Sequence, residues 1–252
     1  MPARRRRWNA PPRVRSACPV DTTELQRIAR IENDNWWYRE RREILSAELL
    51  RFSVPGTAVD IGAASGASCR VLADHGWSAT AIDLSPDAVA LARAYGVEAY
   101  EGDARYLPLP ACEYDLALAL DVFEHVEDDE LAAAEVARVL RPGGTALVSV
   151  PCDMALWSAQ DVALGRVRRY SRRTLAELLE GAGLVLERVW SRGVLHRPLL
   201  RLLRNRTVRR EDLAPLHPLA NEALRLSASL ERCLPVASWP GVWLFARARR
   251  PG

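Results

Sequence analysis

The sequence predicts an α/β fold, a largely parallel sheet with helices on both faces. Two observations predict it. From residue 21 onward, short apolar runs alternate with amphipathic stretches of helical length, the pattern of strands joined by crossover helices. One of those alternations, Ala58-Val59-Asp60-Ile61-Gly62-Ala63-Ala64-Ser65-Gly66, passes from an apolar strand through a small-residue turn into a helix. Sheets of this kind hold ligands at such junctions. No internal repeat competes with the reading.

The elements follow in order. Residues 21–52 read as a helix carrying Leu25, Ile28, Ile31, Trp36, Trp37, Ile44, Leu45 and Leu49, broken by Pro55-Gly56. The β-branched run 57–61 is the first strand, 68–75 a helix and 78–84 the second strand. Ser85-Pro86-Asp87 starts a helix: a capping hydroxyl, a proline at the first helical position, and an acid that suits the dipole. That helix stops at Gly96. Residues 97–100 and 114–120 are strands, 128–140 a helix stopped by Pro142-Gly143-Gly144, and 145–150 an apolar strand ending at Pro151. Ser171 caps a helix bearing Leu175, Leu178 and Leu179, and 184–190 and 242–248 are the last strands. Two stretches, 153–170 and 195–238, stand outside the alternation. The second is rich in Leu and Arg and is cut by Pro198, Pro215, Pro218 and Pro235. Long connections beyond strand ends commonly become lids, so residues 195–238 are expected to form a helical cover within one domain spanning 21–252.

Composition narrows the chemistry. A chain of 252 residues is long enough for one large domain. All thirty-five basic residues are arginine, which excludes Schiff-base chemistry and a lysine base. The cysteines (Cys18, Cys69, Cys112, Cys152 and Cys233) are scattered and form no C-x-x-C pair. Neither a disulfide framework nor a metal site is expected, and a reducing cytoplasm fits best. No apolar run approaches the roughly 20 residues of a membrane span. Residues 1–20 carry six arginines and no acid, so residues 21–252 hold a net charge of about −3 within a chain of +3. Four prolines and no apolar h-region exclude a secretory signal there. A disordered arm is expected, leaving the folded part without an obvious nucleic-acid surface.

The turn at 62–66 lets the backbone approach a ligand closely. Asp83 ends the second strand, 17 residues after Gly66, where a carboxylate can accept both hydroxyls of a ribose. Asp103, in Glu101-Gly102-Asp103-Ala104-Arg105, ends the third.

These residues form a series: Asp60-x-Gly62-x-x-x-Gly66, Asp83, Gly102-Asp103-Ala104, and Tyr114-Asp115 through Asp121. Val122-Phe123-Glu124-His125-Val126 and the Leu140-Arg141-Pro142-Gly143-Gly144 turn follow in the same order. Over residues 57–151 the series resembles the class I S-adenosylmethionine (SAM)-dependent methyltransferases. The resemblance implies a Rossmann-like, seven-stranded, mostly parallel sheet whose last strand inserts antiparallel beside the sixth. It implies SAM as cofactor and S-adenosylhomocysteine as product. Asp60, Gly62, Ala63 and Gly66 would then lie along the methionine part, with Asp83 on the ribose hydroxyls. Asp103 would take the adenine amino group and the Ala104 amide a ring nitrogen, while Leu84 and Asp121 complete the cofactor set. Ala63 and Ala64 depart from the family's D-x-G-C-G-T-G, opening the turn slightly. A dinucleotide site would want the middle glycine that Gly62-Ala63-Ala64 lacks.

Two flanking segments carry a narrower resemblance. Asn35-Trp36-Trp37-Tyr38-Arg39-Glu40-Arg41-Arg42 is similar to a W-W-F-x-x-R-R stretch in bacterial methyltransferases linked to secondary metabolites or cell-surface sugars. Gly165-Arg166-Val167-Arg168-Arg169-Tyr170-Ser171 looks like the same subgroup's G-H-x-R-R-Y-[ST], with Arg166 in place of histidine. Methyl transfer needs a base only where the acceptor loses a proton. His125 is the candidate base, or a residue that caps or packs the next helix; Glu124 is expected at that helix–loop junction. Tyr170 is a second catalytic candidate. Arg169 and Tyr170 are candidates to line the acceptor pocket, or the arginines of 166–173 form a solvated face. Trp37, with Trp36 and Tyr38, walls the pocket or packs in the core. The expected partner is a small-molecule acceptor, with no nucleic acid and no membrane span; the oligomeric state stays open, a homodimer included. A SAM-binding cyclase and an RNA or protein methyltransferase remain alternatives, and a silent SAM-binding subunit is disfavoured by the intact acids.

Overall fold

The computed structural model describes residues 35–203 and 217–252. The arginine-rich arm 1–20, the first part of the expected helix 21–52 and residues 204–216 of the expected cover lie outside the described residues.

Helix α1 (Trp36–Leu49) opens at Asn35, whose side chain accepts from the Trp37 N–H at 2.9 Å. Then come β1 (Thr57–Ile61), α2 (Ala67–Asp74), β2 (Ser78–Asp83), α3 (Pro86–Ala94), β3 (Glu98–Glu101) and β4 (Tyr114–Leu120). A 3-10 turn, Phe123–His125, leads to α4 (Asp129–Val139) and β5 (Leu140–Pro151). The chain continues through α5 (Ala159–Ala163), α6 (Arg172–Gly181), β6 (Val185–Arg192), α7 (Arg197–Leu203), α8 (Pro218–Cys233) and β7 (Trp243–Arg249). Ser85 and Ser171 cap as expected, accepting from the amides of Ala88 and Thr174.

Among the described residues the seven strands form one sheet in the order β3-β2-β1-β4-β5-β7-β6. β7 runs antiparallel to both β5 and β6, between them, and the other pairings are parallel. The fifth strand begins earlier than residue 145 because the Arg-Pro-Gly-Gly turn is itself paired. Gly143 donates to the Arg250 carbonyl, and Arg250 donates back to Gly144.

Alternation along the strands fills two layers, as a sheet covered on both sides requires. Leu116, Leu118 and Leu120 face α1 and α2, meeting Ile44, Leu45 and Leu72. Ala117 and Ala119 face α4 and α6, meeting Val136, Leu175 and Leu179. The chain builds outward from β1 to β3, then returns to place β4 on the other side of β1. That reversal leaves a crevice beyond the carboxyl ends of β1 and β4, the position at which open α/β sheets bind ligands.

Candidate active site

The turn after β1 is held by backbone. The amides of Gly62 and Ala63 donate to the Ile82 carbonyl at 2.8 and 3.1 Å. Gly62 has φ +69°, and a Cβ there would lie 2.7 Å from Cγ2 of Val122, the second residue after β4. Glycine is what lets the two strand ends meet across the crevice. Gly66 precedes α2 with φ +73°, where a Cβ would crowd Val97 at 3.0 Å. Ala64 also takes a left-handed conformation, φ +47°, which costs an L-residue roughly 1–2 kcal/mol. Its amide is anchored to Asp83 Oδ2 at 2.8 Å, and this bond holds the turn in place of the missing glycine.

Asp83 therefore has two tasks. Oδ2 accepts from Ala64 and Oδ1 from the Ser85 amide at 2.9 Å, leaving each oxygen a further lone pair. Burial raises its pKa, and the two backbone donors oppose the rise. Leu84 follows with its side chain exposed. One strand over, the Gly102 amide donates to the Asp83 carbonyl at 2.9 Å, which sets Asp103 beside this site. The Asp103 carboxylate accepts from the amide, Nε and Nη2 of Arg105. Burial opposes its ionisation, but the hydrogen bonds and charge of Arg105 prevail and hold its pKa below the ordinary value. Ala104 packs against the core. Asp60 is buried within β1, 3.9 Å from the Cys69 sulfur, whose thiol is pushed well up by burial and then by Asp60.

Across the crevice, Asp121 follows β4 with φ +59°. Its carboxylate takes Arg41 Nη1 at 3.3 Å and the Ser149 hydroxyl at 3.0 Å. Non-glycine residues held in this region concentrate where a ligand is handled. Glu124 is fully buried and neither carboxylate oxygen has a hydrogen-bond partner. Arg166 Nε lies 3.6 Å away and His125 Nε2 3.9 Å. Burial, then the negative charge of Asp121, pushes its pKa up to about 8. The exposed His125 ring sets Nδ1 3.2 Å from the Gly165 carbonyl. In the tautomer that donates this bond, Nε2 carries the lone pair. Partial burial and the Arg166 charge put the imidazole pKa below its ordinary value.

Three residues expected to line an acceptor pocket are engaged elsewhere. Arg169 is buried, with Nε and Nη2 on Asp161 at 3.0 Å each and Nη1 on the Cys152 carbonyl at 3.1 Å. Arg166 adds a third contact to Asp161, at 3.1 Å. A guanidinium this enclosed needs its carboxylate partner, so Arg169 is not presented to a ligand. Tyr170 belongs to the core; its hydroxyl donates to Asp129 Oδ2 at 2.6 Å, and burial and Asp129 push its pKa up. Its catalytic role is not supported, because the hydroxyl is spent at the start of α4. Trp37 stacks flat on Trp243, ring centroids 3.7 Å apart, and so packs on β7.

A sequence profile for the family described as "Methyltransferase domain" matches residues 59–148, from β1 to β5. A relative from Mycolicibacterium smegmatis, named "Probable S-adenosylmethionine-dependent methyltransferase", is 31% identical over 176 residues, covering 68% of this chain and 67% of the relative. The chain is a SAM-dependent methyltransferase. The methyltransferase also resembles Haemonchus contortus phosphoethanolamine N-methyltransferase 2, solved in complex with SAM. There the TM-score is 0.62 at 21% identity, covering 92% of this chain and 58% of that one. A chain from the complex of the Haloferax volcanii Trm112 methyltransferase activator with a methyltransferase gives 0.64 at 21% identity, covering 94% and 100%. At these identities the likeness is one of fold.

The residues of the methyltransferase suit its cofactor. The positive-φ glycines hold a tight turn at the crevice, and each Asp83 oxygen, with one backbone donor, has a further lone pair. Sequence reasoning missed Glu124 and Arg41 as parts of the site. Both stood within motifs it had singled out, but neither the burial of Glu124 nor the reach of Arg41 to Asp121 has a local signal. Among the described residues no cluster of acids, histidines and cysteines could hold a metal ion, and no helix is long and apolar enough to cross a membrane.

Proposed function

We propose that this methyltransferase carries the methyl group to an O, N or C atom of a small-molecule acceptor in bacterial secondary-metabolite or sugar biosynthesis, in the cytoplasm. The observation that carries the reading is the crevice at the strand reversal. Asp83 with its two available lone pairs lies on one side of Gly62, and Asp121 with the exposed His125 lies on the other. Bound SAM supplies an electrophilic methyl group. Asp83 holds the ribose hydroxyls, Asp103 takes the adenine amine beside the Ala104 amide, and Leu84 packs on the ring. Asp60, Gly62, Ala63 and Gly66 border the methionine part, with Asp121 at its far end. The acceptor sits beyond β4 and β5 under helices α7 and α8, where His125 Nε2 takes a proton if the acceptor must lose one. Alignment in a site closed to water supplies much of the remaining acceleration. The tryptophan and G-x-x-R-R-Y segments support the small-molecule class.

The test is to incubate the enzyme with methyl-labelled SAM and a fractionated bacterial extract. Label is expected in the low-mass fraction. Label confined to protein or RNA would overturn the acceptor class, and substrate conversion without label transfer would favour cyclisation.

A further inference from the structure

The segment after α5 is shaped to meet His125. The helix is closed by Leu164, and Gly165 takes the left-handed conformation, φ +71°. The Gly165 amide donates to the Val162 carbonyl at 3.0 Å and the Arg166 amide to the Asp161 carbonyl at 2.9 Å. This pair of bonds is the Schellman closure of a helix. It fixes the direction of the Gly165 carbonyl, which meets His125 Nδ1 at 3.2 Å. The Val167 amide then donates to the Glu124 carbonyl at 2.8 Å, clamping the segment to the turn that carries His125.

Arg166 stands between these two clamps. Its Nη1 lies 3.1 Å from Asp161 Oδ1 and its Nε 3.6 Å from Glu124 Oε1, which is itself 3.9 Å from His125 Nε2. The charges here do not cancel. Arg166 and Arg169 share the carboxylate of Asp161; burial opposes its ionisation, but Arg169 and then Arg166 hold its pKa down. Glu124 keeps its proton up to about 8. Two guanidiniums over one ionised carboxylate leave an excess positive charge beside the ring. On the other sides the acids are matched. Asp121 after β4 is met by Arg41 of α1, and Asp128 and Asp129 at the start of α4 by Arg105 and Arg168. A positive charge disfavours a second one nearby. Burial first, and Arg166 next, hold the imidazole below its ordinary value, against the opposing pull of the Gly165 carbonyl and Asp121.

We infer that Arg166 is a positioning residue for His125. Its side chain ties the end of α5 to the His125 turn, so that the Gly165 carbonyl holds the proton on Nδ1, and its charge keeps Nε2 free to accept one. This role rests on the reading of His125 as the base, but its test needs no turnover, so the two can fail separately. The histidine rings of the full chain, labelled with nitrogen-15, are followed by NMR across pH. The chain has four histidines, and the His125 signal is the one lost in His125→Ala. In the wild type the neutral ring is expected to carry its proton on Nδ1 and to titrate below the ordinary histidine value of about 6.5. Arg166→Gln removes the charge and should move the midpoint up toward that value, with Glu124 still protonated across the same range. Arg166→Lys keeps the charge and should leave the midpoint low, a rescue that a role in folding alone does not predict. A wild-type ring protonated on Nε2 when neutral would overturn the inference. So would a folded Arg166→Gln that titrates as the wild type does, or an Arg166→Lys whose midpoint rises as far. If Arg166→Gln does not fold, the wild type and Arg166→Lys still decide, since a midpoint at or above about 6.5 in either contradicts the role. The rate of His125→Ala judges the base; these titrations judge Arg166.

Discussion

The two halves of the sheet reach their chemistry by different means. From β1 to β3, the site is made by backbone and short-range contacts. The bond between Ala64 and Asp83 spans 19 residues, and those from Asp83 to Ser85 and Asp103 to Arg105 span two each. From β4 to β7, the site is made by side chains that meet only after folding. Arg41 reaches Asp121 across 80 residues, and α1 meets α8 through bonds spanning 185 and 192. The first half gains its ligand geometry with local order, whereas the second depends on the packing of remote helices. Substitutions should therefore separate cofactor binding from stability and turnover.

The largest effect is expected in the second half. Asp161→Ala strips the partner from two enclosed guanidiniums, Arg166 and Arg169. Removing one member of a buried ion cluster typically costs about 3–5 kcal/mol, to be read by denaturant unfolding. SAM affinity of the remaining folded protein should stay within a few-fold; a large loss there would erase the distinction between the halves. His125→Ala should lower kcat by about 10²- to 10⁴-fold for a hydroxyl acceptor and leave SAM binding intact. The acid limb of the wild-type rate should fall below the ordinary histidine pKa, as the lowered imidazole requires, and the variant should lose that limb. A variant retaining both rate and limb would make His125 structural.

Gly62→Ala probes the first half. A left-handed conformation and the 2.7 Å approach to Val122 should together cost about 1–3 kcal/mol of stability, with weaker SAM binding, read by thermal unfolding and calorimetry. The smallest effect sharpens the comparison through pH. The folded chain keeps a proton on Glu124 up to about 8, whereas an ordinary glutamate releases it near 4.5. Between those values the folded state binds more protons, so stability falls as pH rises, by about 1.4 kcal/mol per unit from this group. Glu124→Gln should flatten that decline between pH 7 and 8. An unchanged slope would mean the carboxyl ionises normally.

How much was legible follows the same division. The strand–turn–helix at 58–66, the Ser85-Pro86 helix start and Asp83 announce themselves because the residue types that fix the backbone are contiguous. The boundaries at 83 and 101 fall within one residue of the expected ones for the same reason. The surroundings of Arg169 and Tyr170 are not legible, because Arg-Arg-Tyr looks alike whether it faces solvent, a ligand or the interior. Only Asp161 and Asp129, supplied by other elements, decide. Glu124 stayed hidden since burial is a property of what packs above it.

In the proposed function, the turn after β1 and the carboxylate ending β2 hold SAM as one unit. Calorimetry of SAM binding to Asp83→Ala tests it most directly. The variant loses the proposed acceptor for the ribose hydroxyls and the anchor of the Ala64 amide. Its affinity should fall by about 10- to 150-fold, roughly 1.5–3 kcal/mol, while circular dichroism shows a folded chain. A folded variant that binds SAM as tightly as the wild type would contradict the account.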